Sequence, residues 1–321
     1  MVKNIGLKHS VNATIIIKQK FNPFHEHHNM KKSSFSTNGK RADIGDLEIY
    51  RILPNRYADA VGPFVFLDHI VPTMQTSIKK AGTGAHPHRG IATLSYILNG
   101  EDEHFDSAGN YAMVHSGGVQ WMKAGNGIIH DEALNYDSGT DSKLIHAFQF
   151  WINLPSKIKG ENPEYLAIEG NDVPVKVLPG GSGWIKVIVG TFQELNSPIP
   201  NYSEQFLYHI HLQPGANFTI GFADKTEVAA YLPTVRVLMN NESFEAGEFI
   251  EFDRKAGDII LSNEQKEACD VLLFGGEPYV EPIVAEGPFV MNSSLEIADA
   301  YKGFYAGRYG TIDYEKQMLN T

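Results

Sequence analysis

The sequence predicts an all-β protein made of two β-barrels in tandem, with a short C-terminal helix. Short apolar or alternating segments recur between turns rich in Gly, Pro, Asn and Asp, a pattern typical of β-sandwiches and barrels. The pattern occurs in two comparable runs, separated by a joint marked by proline and glycine between residues 154 and 181. The chain also contains 14 Tyr and 18 Phe, a bias that favours strands over helices.

The same pattern sets the predicted domain boundaries. Residues 1–42 are polar and poor in apolar runs, so we expect a disordered N-terminal extension. The first barrel is predicted over residues 43–160 and the second over 161–285, while residues 286–321 form a helix and tail that pack back on the barrels. With 321 residues, the chain is long enough for two domains of ordinary size.

The individual strands follow from the apolar segments. In the first barrel, the Asn99-Gly100 pair predicts a hairpin turn after the strand that precedes it. The segments predicted as strands are Phe64–Leu67, Ala92–Leu98, Val119–Met122 and Ile145–Ile152, then Trp184–Val189, Phe206–Leu212, Thr234–Met239, Phe249–Phe252, Asp258–Leu261 and Val271–Phe274.

The C-terminal helix is predicted from a start signal, a periodicity and a stop. Ser293 and Glu296 have the spacing of a capping box. Apolar residues then recur at helical spacing, and Gly307 and Gly310 end the helix. The residues expected on its packed face are Ile297, Tyr301, Phe304 and Tyr305.

Charge and cysteine content exclude several classes of function. The net charge is 27 − 38 = −11, which disfavours nonspecific binding to nucleic acid or to an anionic membrane. Cys269 is the single cysteine, so no intrachain disulfide can form. No apolar run approaches the roughly 18 residues of a membrane helix, and no signal-peptide pattern precedes the first barrel. We therefore expect a cytoplasmic protein.

Two pairs of residues carry the clearest chemical signal. His86 and His88 have the i, i+2 spacing that places side chains on one face of a strand. His130 and Glu132 repeat this spacing after a glycine-rich turn. One such pair is weak evidence, because buried histidines are common in cores. Two pairs beside glycine turns are hard to explain by packing, so we predict a single metal site made of these four residues.

Three imidazoles and one carboxylate suit Fe(II), Mn(II), Ni(II), Cu(II) or Zn(II), because no thiolate competes. Four protein ligands leave up to two positions free on a six-coordinate ion, enough for a substrate and O₂. His209 and His211 form a third pair, but no histidine follows residue 211. The second barrel therefore cannot complete a site of this kind, and we interpret the pair as structural or solvent-facing.

Several motifs of the chain closely resemble the pirin family of the cupin superfamily. The likeness extends over roughly residues 43–312 and agrees in order, spacing and residue type. One departure is Ala92, where the family often has Glu. The segments that resemble the family are 86–91, 96–100, 104–110, 118–122, 124–132, 149–155, 287–292 and 306–310.

The resemblance implies a bicupin in which the N-terminal barrel alone holds metal. The family's iron site, made of three His and one Glu, falls on the four residues already selected, which favours Fe(II). Some bacterial members resemble quercetin 2,3-dioxygenases, so the resemblance implies a flavonol and O₂ as substrates and loss of CO. In that reaction Glu132 is the expected catalytic base. The expected apolar walls of the pocket are Phe64, Phe66, Trp121 and Met122.

The resemblance also leaves a second function open. Pirins are similar to regulators that bind a transcription factor or a metabolic enzyme, with the oxidation state of the iron altering the surface. The same four ligands would serve such a redox-sensing protein, and the sequence does not separate the two functions.

Overall fold

The computed structural model describes residues 29–319. The predicted disorder of residues 1–28 lies outside the described residues. Strands dominate the rest, and the two α-helices of the described part lie near the C-terminus, so the all-β prediction is confirmed. Within residues 29–319, no helix is long and apolar enough to cross a membrane.

The first barrel is formed by a seven-stranded and a four-stranded antiparallel sheet. The strands up to residue 168 are β1 (Ser33–Asn38), β2 (Lys40–Arg41), β3 (Ile49–Leu53), β4 (Phe64–Met74), β5 (His86–His88), β6 (Ile91–Asn99), β7 (Glu101–Asp106), β8 (Tyr111–His115), β9 (Val119–Lys123), β10 (Ile128–Asn135), β11 (Leu144–Asn153) and β12 (Glu164–Ile168). The larger sheet has the order β12-β9-β6-β11-β4-β3-β2, and the smaller one has the order β5-β10-β7-β8.

The second barrel repeats this plan. Its strands and the C-terminal elements are β13 (Val175–Val177), β14 (Gly183–Val189), β15 (Thr191–Phe192), β16 (Leu195–Asn196), β17 (Gln205–Leu212), β18 (Asn217–Phe222), β19 (Glu227–Tyr231), β20 (Val237–Met239), β21 (Glu242–Phe244), β22 (Glu248–Phe252), β23 (Gly257–Ser262), β24 (Cys269–Gly276), β25 (Val284–Glu286), β26 (Phe289–Met291), α1 (Ser294–Tyr305) and α2 (Tyr314–Met318). Its sheets have the orders β1-β22-β19-β24-β17-β14-β13 and β18-β23-β20-β21.

Strand β1 precedes the first barrel in the chain but pairs with β22 of the second. The prediction of a disordered extension up to residue 42 is therefore wrong for residues 33–41, which form β1 and β2. The side chains of β1 are polar except for Phe35, whose ring lies 5.9 Å from that of Phe249. This segment is ordered by backbone pairing rather than by apolar alternation. Its composition therefore did not indicate a strand.

The passage between the barrels lies later than the predicted boundary at residue 160. Strand β12 still pairs with β9 of the first barrel, with Leu166 opposite Trp121. The next strand, β13, pairs with β14 of the second barrel. The first barrel therefore extends to Ile168.

The two barrels share one apolar core. A single cluster of buried side chains includes Phe64 and Phe150 from the first barrel and Leu207 and Phe274 from the second. The rings of Phe64 and Phe274 meet edge to face at 5.4 Å. Because burial of apolar surface is the main driving force for packing, this continuous core fixes the barrels against each other.

Helix α1 begins where the capping box predicts. The Ser293 hydroxyl accepts from the backbone N–H of Glu296, while the Glu296 carboxylate accepts from the N–H of Asn292 at 2.7 Å. The helix buries Ile297 as predicted. Tyr305 is 79% exposed, so its predicted place on the packed face is wrong; the helix turns it towards solvent.

Candidate metal centre

Strands β5 and β10 bring the predicted histidines together. They pair antiparallel, with His130 opposite His86 and Ile128 opposite His88. The Nε2 atoms of His86 and His130 lie 3.0 Å apart, and one nitrogen from each of the three rings lies within 4.8 Å of the others. Two imidazoles on one strand face a third on its neighbour, as the i, i+2 spacing requires.

Backbone carbonyls orient two of these rings. The Nδ1 of His86 lies 2.7 Å from the Gly84 oxygen, and the Nδ1 of His88 lies 3.0 Å from the Pro288 oxygen. A carbonyl can only accept, so each Nδ1 carries the proton and each Nε2 presents a lone pair. The Nε2 of His88 is buried and has no hydrogen-bond partner among the described residues. The cluster therefore presents lone pairs at one point.

Burial keeps the rings of His88 and His130 neutral. The pKa of His88 is lowered to about 3, mainly by burial and to a lesser extent by the neighbouring His86. The pKa of His130 is held well below its ordinary value, again mainly by burial and to a lesser extent by His88 and His86. Neutral imidazole is the form that binds metal ions. The donor chemistry and the unpartnered Nε2 of His88 therefore fit a divalent ion.

Glu132 lies beside the cluster and is held by two neutral donors. The Ser95 hydroxyl donates to Oε1 at 3.1 Å, and the Gln149 amide donates to Oε2 at 2.7 Å. Oε1 lies 3.9 Å from the Nδ1 of His130. Burial alone would raise the pKa of Glu132, but the neighbouring His104, with Nδ1 3.9 Å from Oε1, leaves it below its ordinary value. Glu132 is therefore a carboxylate anion at neutral pH.

His104 is a neighbour that sequence reasoning did not select. It lies opposite Glu132 in the pairing of β7 with β10, stacks on Tyr165 with 4.2 Å between ring centroids, and has Nε2 3.3 Å from Asp106. Burial opposes its protonation, but contacts with Asp106 and Glu132 raise the pKa of His104 overall. The i, i+2 spacing of His104 and Asp106 on one strand was the signal that could have identified it.

A cavity of about 90 Å³ adjoins His86 and Glu132 inside the first barrel and opens to solvent. Its apolar walls are formed by Ile44, Leu47, Ile49, Ile70, Ile97, Leu134, Ala147 and Phe148.

The aromatic residues predicted as walls lie elsewhere. Phe64 and Trp121 belong to the core shared by the barrels, and Met122 belongs to a separate buried cluster. Phe66 stacks on Trp151 with 4.1 Å between ring centroids. Trp151 in turn packs edge to face against His88 at 4.9 Å, so it supports the candidate metal centre without lining the cavity.

The third histidine pair has a structural role. His209 is buried, with Nδ1 2.7 Å from the Tyr96 hydroxyl and Nε2 2.9 Å from Asp270. His211 lies 2.7 Å from the same carboxylate. Both rings are satisfied by hydrogen bonds, and the solvent-facing alternative is wrong for His209.

Comparisons with known proteins agree with this architecture. The Pirin family model matches residues 46–152, and that of the Pirin C-terminal cupin domain matches residues 207–310. A pirin-like protein of Caulobacter vibrioides is 33% identical over 280 residues, which cover 86% of this chain and 94% of that protein.

Solved structures show the same fold. A quercetin 2,3-dioxygenase from Acinetobacter baumannii superposes with a TM-score of 0.81 at 29% identity, covering 89% of this chain and all of that one. A bacterial pirin from Escherichia coli, solved in complex with nickel(II), has a TM-score of 0.58 at 21% identity, covering 76% of this chain and 99% of its own. From these matches and the two-barrel architecture, we conclude that this chain belongs to the pirin family of cupin proteins.

Proposed function

We propose that the protein is a metal-dependent dioxygenase that opens quercetin-type flavonols with O₂ and releases carbon monoxide. The observation that carries this proposal is the cluster of three imidazoles, with the Glu132 carboxylate 3.9 Å from His130, at the wall of a largely apolar cavity. The high structural similarity to a protein named quercetin 2,3-dioxygenase supports it.

In this proposal His86, His88, His130 and Glu132 are the metal ligands. Fe(II) is the proposed ion, although the donor set also suits Mn, Ni, Cu and Zn. When bound, a divalent ion acidifies a coordinated hydroxyl group and so prepares the flavonol for O₂. The hydrogen bonds from His86 to Gly84 and from His88 to Pro288 would hold both rings in the ligating tautomer.

Glu132 is the proposed base that accepts the proton of the flavonol 3-hydroxyl. Its low pKa makes it a weak base, so proton transfer depends on acidification of the hydroxyl. Ser95 and Gln149 hold the carboxylate at the edge of the cavity. The apolar walls would exclude water from the reacting ring and strengthen these electrostatic contacts.

Turnover is the direct test. The protein is reconstituted with Fe(II) without air and mixed with quercetin and O₂, while the near-ultraviolet flavonol band and released CO are followed. We expect the band to decay with one CO formed for each quercetin consumed. Absence of turnover with Fe, Mn, Ni, Cu and Zn would reject the dioxygenase and favour a regulatory protein.

Variants test the assigned residues. We expect His88→Ala to lose stoichiometric metal, measured by elemental analysis, because a ligand is removed. His211→Asn in the second barrel is the matched control and should keep full metal content. Glu132→Gln should abolish turnover, and a variant that retained activity would remove Glu132 from the role of base.

A further inference from the structure

Asp102 lies on the inner face of β7, two residues before His104. In the pairing with β10, His104 is opposite Glu132 and Asp102 is opposite Leu134. Two residues along a strand span about 7 Å. The carboxyl group of Asp102 is therefore one inward position beyond Glu132, on the side away from the three histidines, and it lines the same cavity.

The Asp102 carboxyl group has unused hydrogen-bonding capacity. The residue is 3% exposed, and its Oδ1 has no hydrogen-bond partner among the described residues. The other carboxylates of the cavity wall are satisfied. Arg51 donates to both oxygens of Asp68 at 2.6 and 2.8 Å, and Glu132 accepts from two side chains. A buried polar atom without a partner is uncommon and needs an explanation.

The chemistry around Asp102 limits what can reach it. The cavity wall includes three carboxyl groups, those of Asp68, Asp102 and Glu132, and none of the lining residues is Lys or Arg. A substrate that carries a carboxylate at this end would find no free cationic side chain in the described part of the wall, because Arg51 is already paired with Asp68. Ile97 and Leu134, which line the same cavity, are apolar, so the wall favours an uncharged ring system with a polar group at one point.

We propose that Asp102 binds a hydroxyl group of a neutral, flat aromatic substrate at the end remote from the histidines, and so selects hydroxylated flavonols over unsubstituted ones. This inference rests on the proposed dioxygenase function, because the other end of the substrate is placed at Glu132. Either protonation state of Asp102 can act: the acid donates to the hydroxyl, and the carboxylate accepts from it.

The test compares two ligands, quercetin and 3-hydroxyflavone, which has the 3-hydroxyl alone. Binding to the metal-loaded protein is measured without O₂ by quenching of tryptophan fluorescence, and kcat/KM is measured with O₂. We expect Asp102→Val to lower the preference for quercetin about tenfold, the effect of one hydrogen bond. Asp102→Asn, which keeps donor and acceptor atoms, should retain most of the preference.

The control is Glu103→Gln, a change at the next residue, whose carboxylate faces the other side of β7 and accepts from Tyr111. It should leave the preference unchanged. We expect Asp102→Val to fold with an unchanged or higher Tm, because it removes a buried polar group without a partner.

The outcomes separate the two proposals. Equal preferences in wild type, Asp102→Val and Asp102→Asn would overturn the role of Asp102 even if all three proteins turn over quercetin. The wild type could bind quercetin more tightly than 3-hydroxyflavone but turn over neither of them. If Asp102→Val then abolishes this difference in binding, the role of Asp102 is supported and the dioxygenase is rejected. Absence of quercetin binding to the wild type would also overturn the inference.

Discussion

The imidazole of His88 is oriented by Pro288, a residue 200 positions later in the chain. This hydrogen bond fixes which ring nitrogen is free, and edge-to-face packing against Trp151 restricts rotation of the ring. The same principle applies to Glu132, whose two oxygens each accept from a different strand. At the scale of single residues, the partners of the candidate ligands decide where their lone pairs point.

A first prediction concerns Gln149. In Gln149→Leu the Glu132 carboxylate loses a donor at 2.7 Å and is free to leave its position. A hydrogen bond to a charged group is worth about 1.5–3 kcal/mol. We therefore expect kcat for quercetin in the proposed dioxygenase reaction to fall about 10- to 100-fold. Metal content should stay near that of the wild type. An unchanged kcat would show that Gln149 does not position the carboxylate.

The sequence predicts the candidate ligands better than their surroundings. His86, His88, His130 and Glu132 stand out because strand spacing is local and can be seen in the sequence. Some of their neighbours come from β7, which pairs with β10, and others come from β6 and β11 of the other sheet, which meet β5 and β10 only when the barrel closes. No local pattern joins these partners to the site, and they include Ser95, Asp102, His104, Gln149 and Trp151.

At the scale of elements, the C-terminal segment supports the first barrel. The hydroxyl of Tyr314 donates to Asp131 at 2.9 Å, next to His130, and Gln317 donates to the backbone oxygen of Asp106 at 2.8 Å. Tyr309 packs on the glycine turn that precedes His130. The chain thus returns from the second barrel to brace the strands that carry the candidate ligands.

A second prediction tests this brace at Gly127. Its φ of +123° disfavours any other residue, and a Cβ there would collide with the ring of Tyr309. Overpacking adds roughly 1–3 kcal/mol to the cost of the backbone conformation. We therefore expect Gly127→Ala to lower the free energy of unfolding by about 3 kcal/mol, measured by urea denaturation.

Gly109→Ala is the matched control for Gly127→Ala. Gly109 also has positive φ, +97°, but a Cβ there meets nothing within 4 Å. Its substitution should cost roughly 1 kcal/mol, from backbone conformation alone. Equal losses in the two variants would show that the contact with Tyr309 does not contribute.

At the scale of the whole molecule, the sequence predicts two tandem barrels but not which strands pair across the predicted domain boundaries. Alternation identifies most strands because each has one face in a core. It carries no information on which distant strand is the partner. The pairing of β1 with β22 and of β12 with β9 depends on the final arrangement of both barrels, so the predicted boundaries at residues 42 and 160 missed it.

Polar groups also lie buried where the barrels meet. His69 places Nδ1 2.8 Å from the Tyr231 hydroxyl of the second barrel and Nε2 2.8 Å from the Nε2 of His146. Two imidazoles this close require one to donate and the other to accept, so at least one of them is neutral. Burial holds the pKa of His69 well below its ordinary value and lowers the pKa of His146 to about 4.

The last prediction follows from the pKa of His146. Between pH 6.5 and about 4 the unfolded chain binds a proton that the folded protein excludes, so stability falls as the pH falls through this window. One such group contributes about 1.4 kcal/mol for each pH unit, or about 2 kcal/mol between pH 7 and pH 5. Urea denaturation at both pH values should therefore show a smaller loss in His146→Gln than in the wild type. The buried histidines that do not contact His146 cancel in this difference, so equal losses would show that His146 and its partner His69 are not held neutral by the fold.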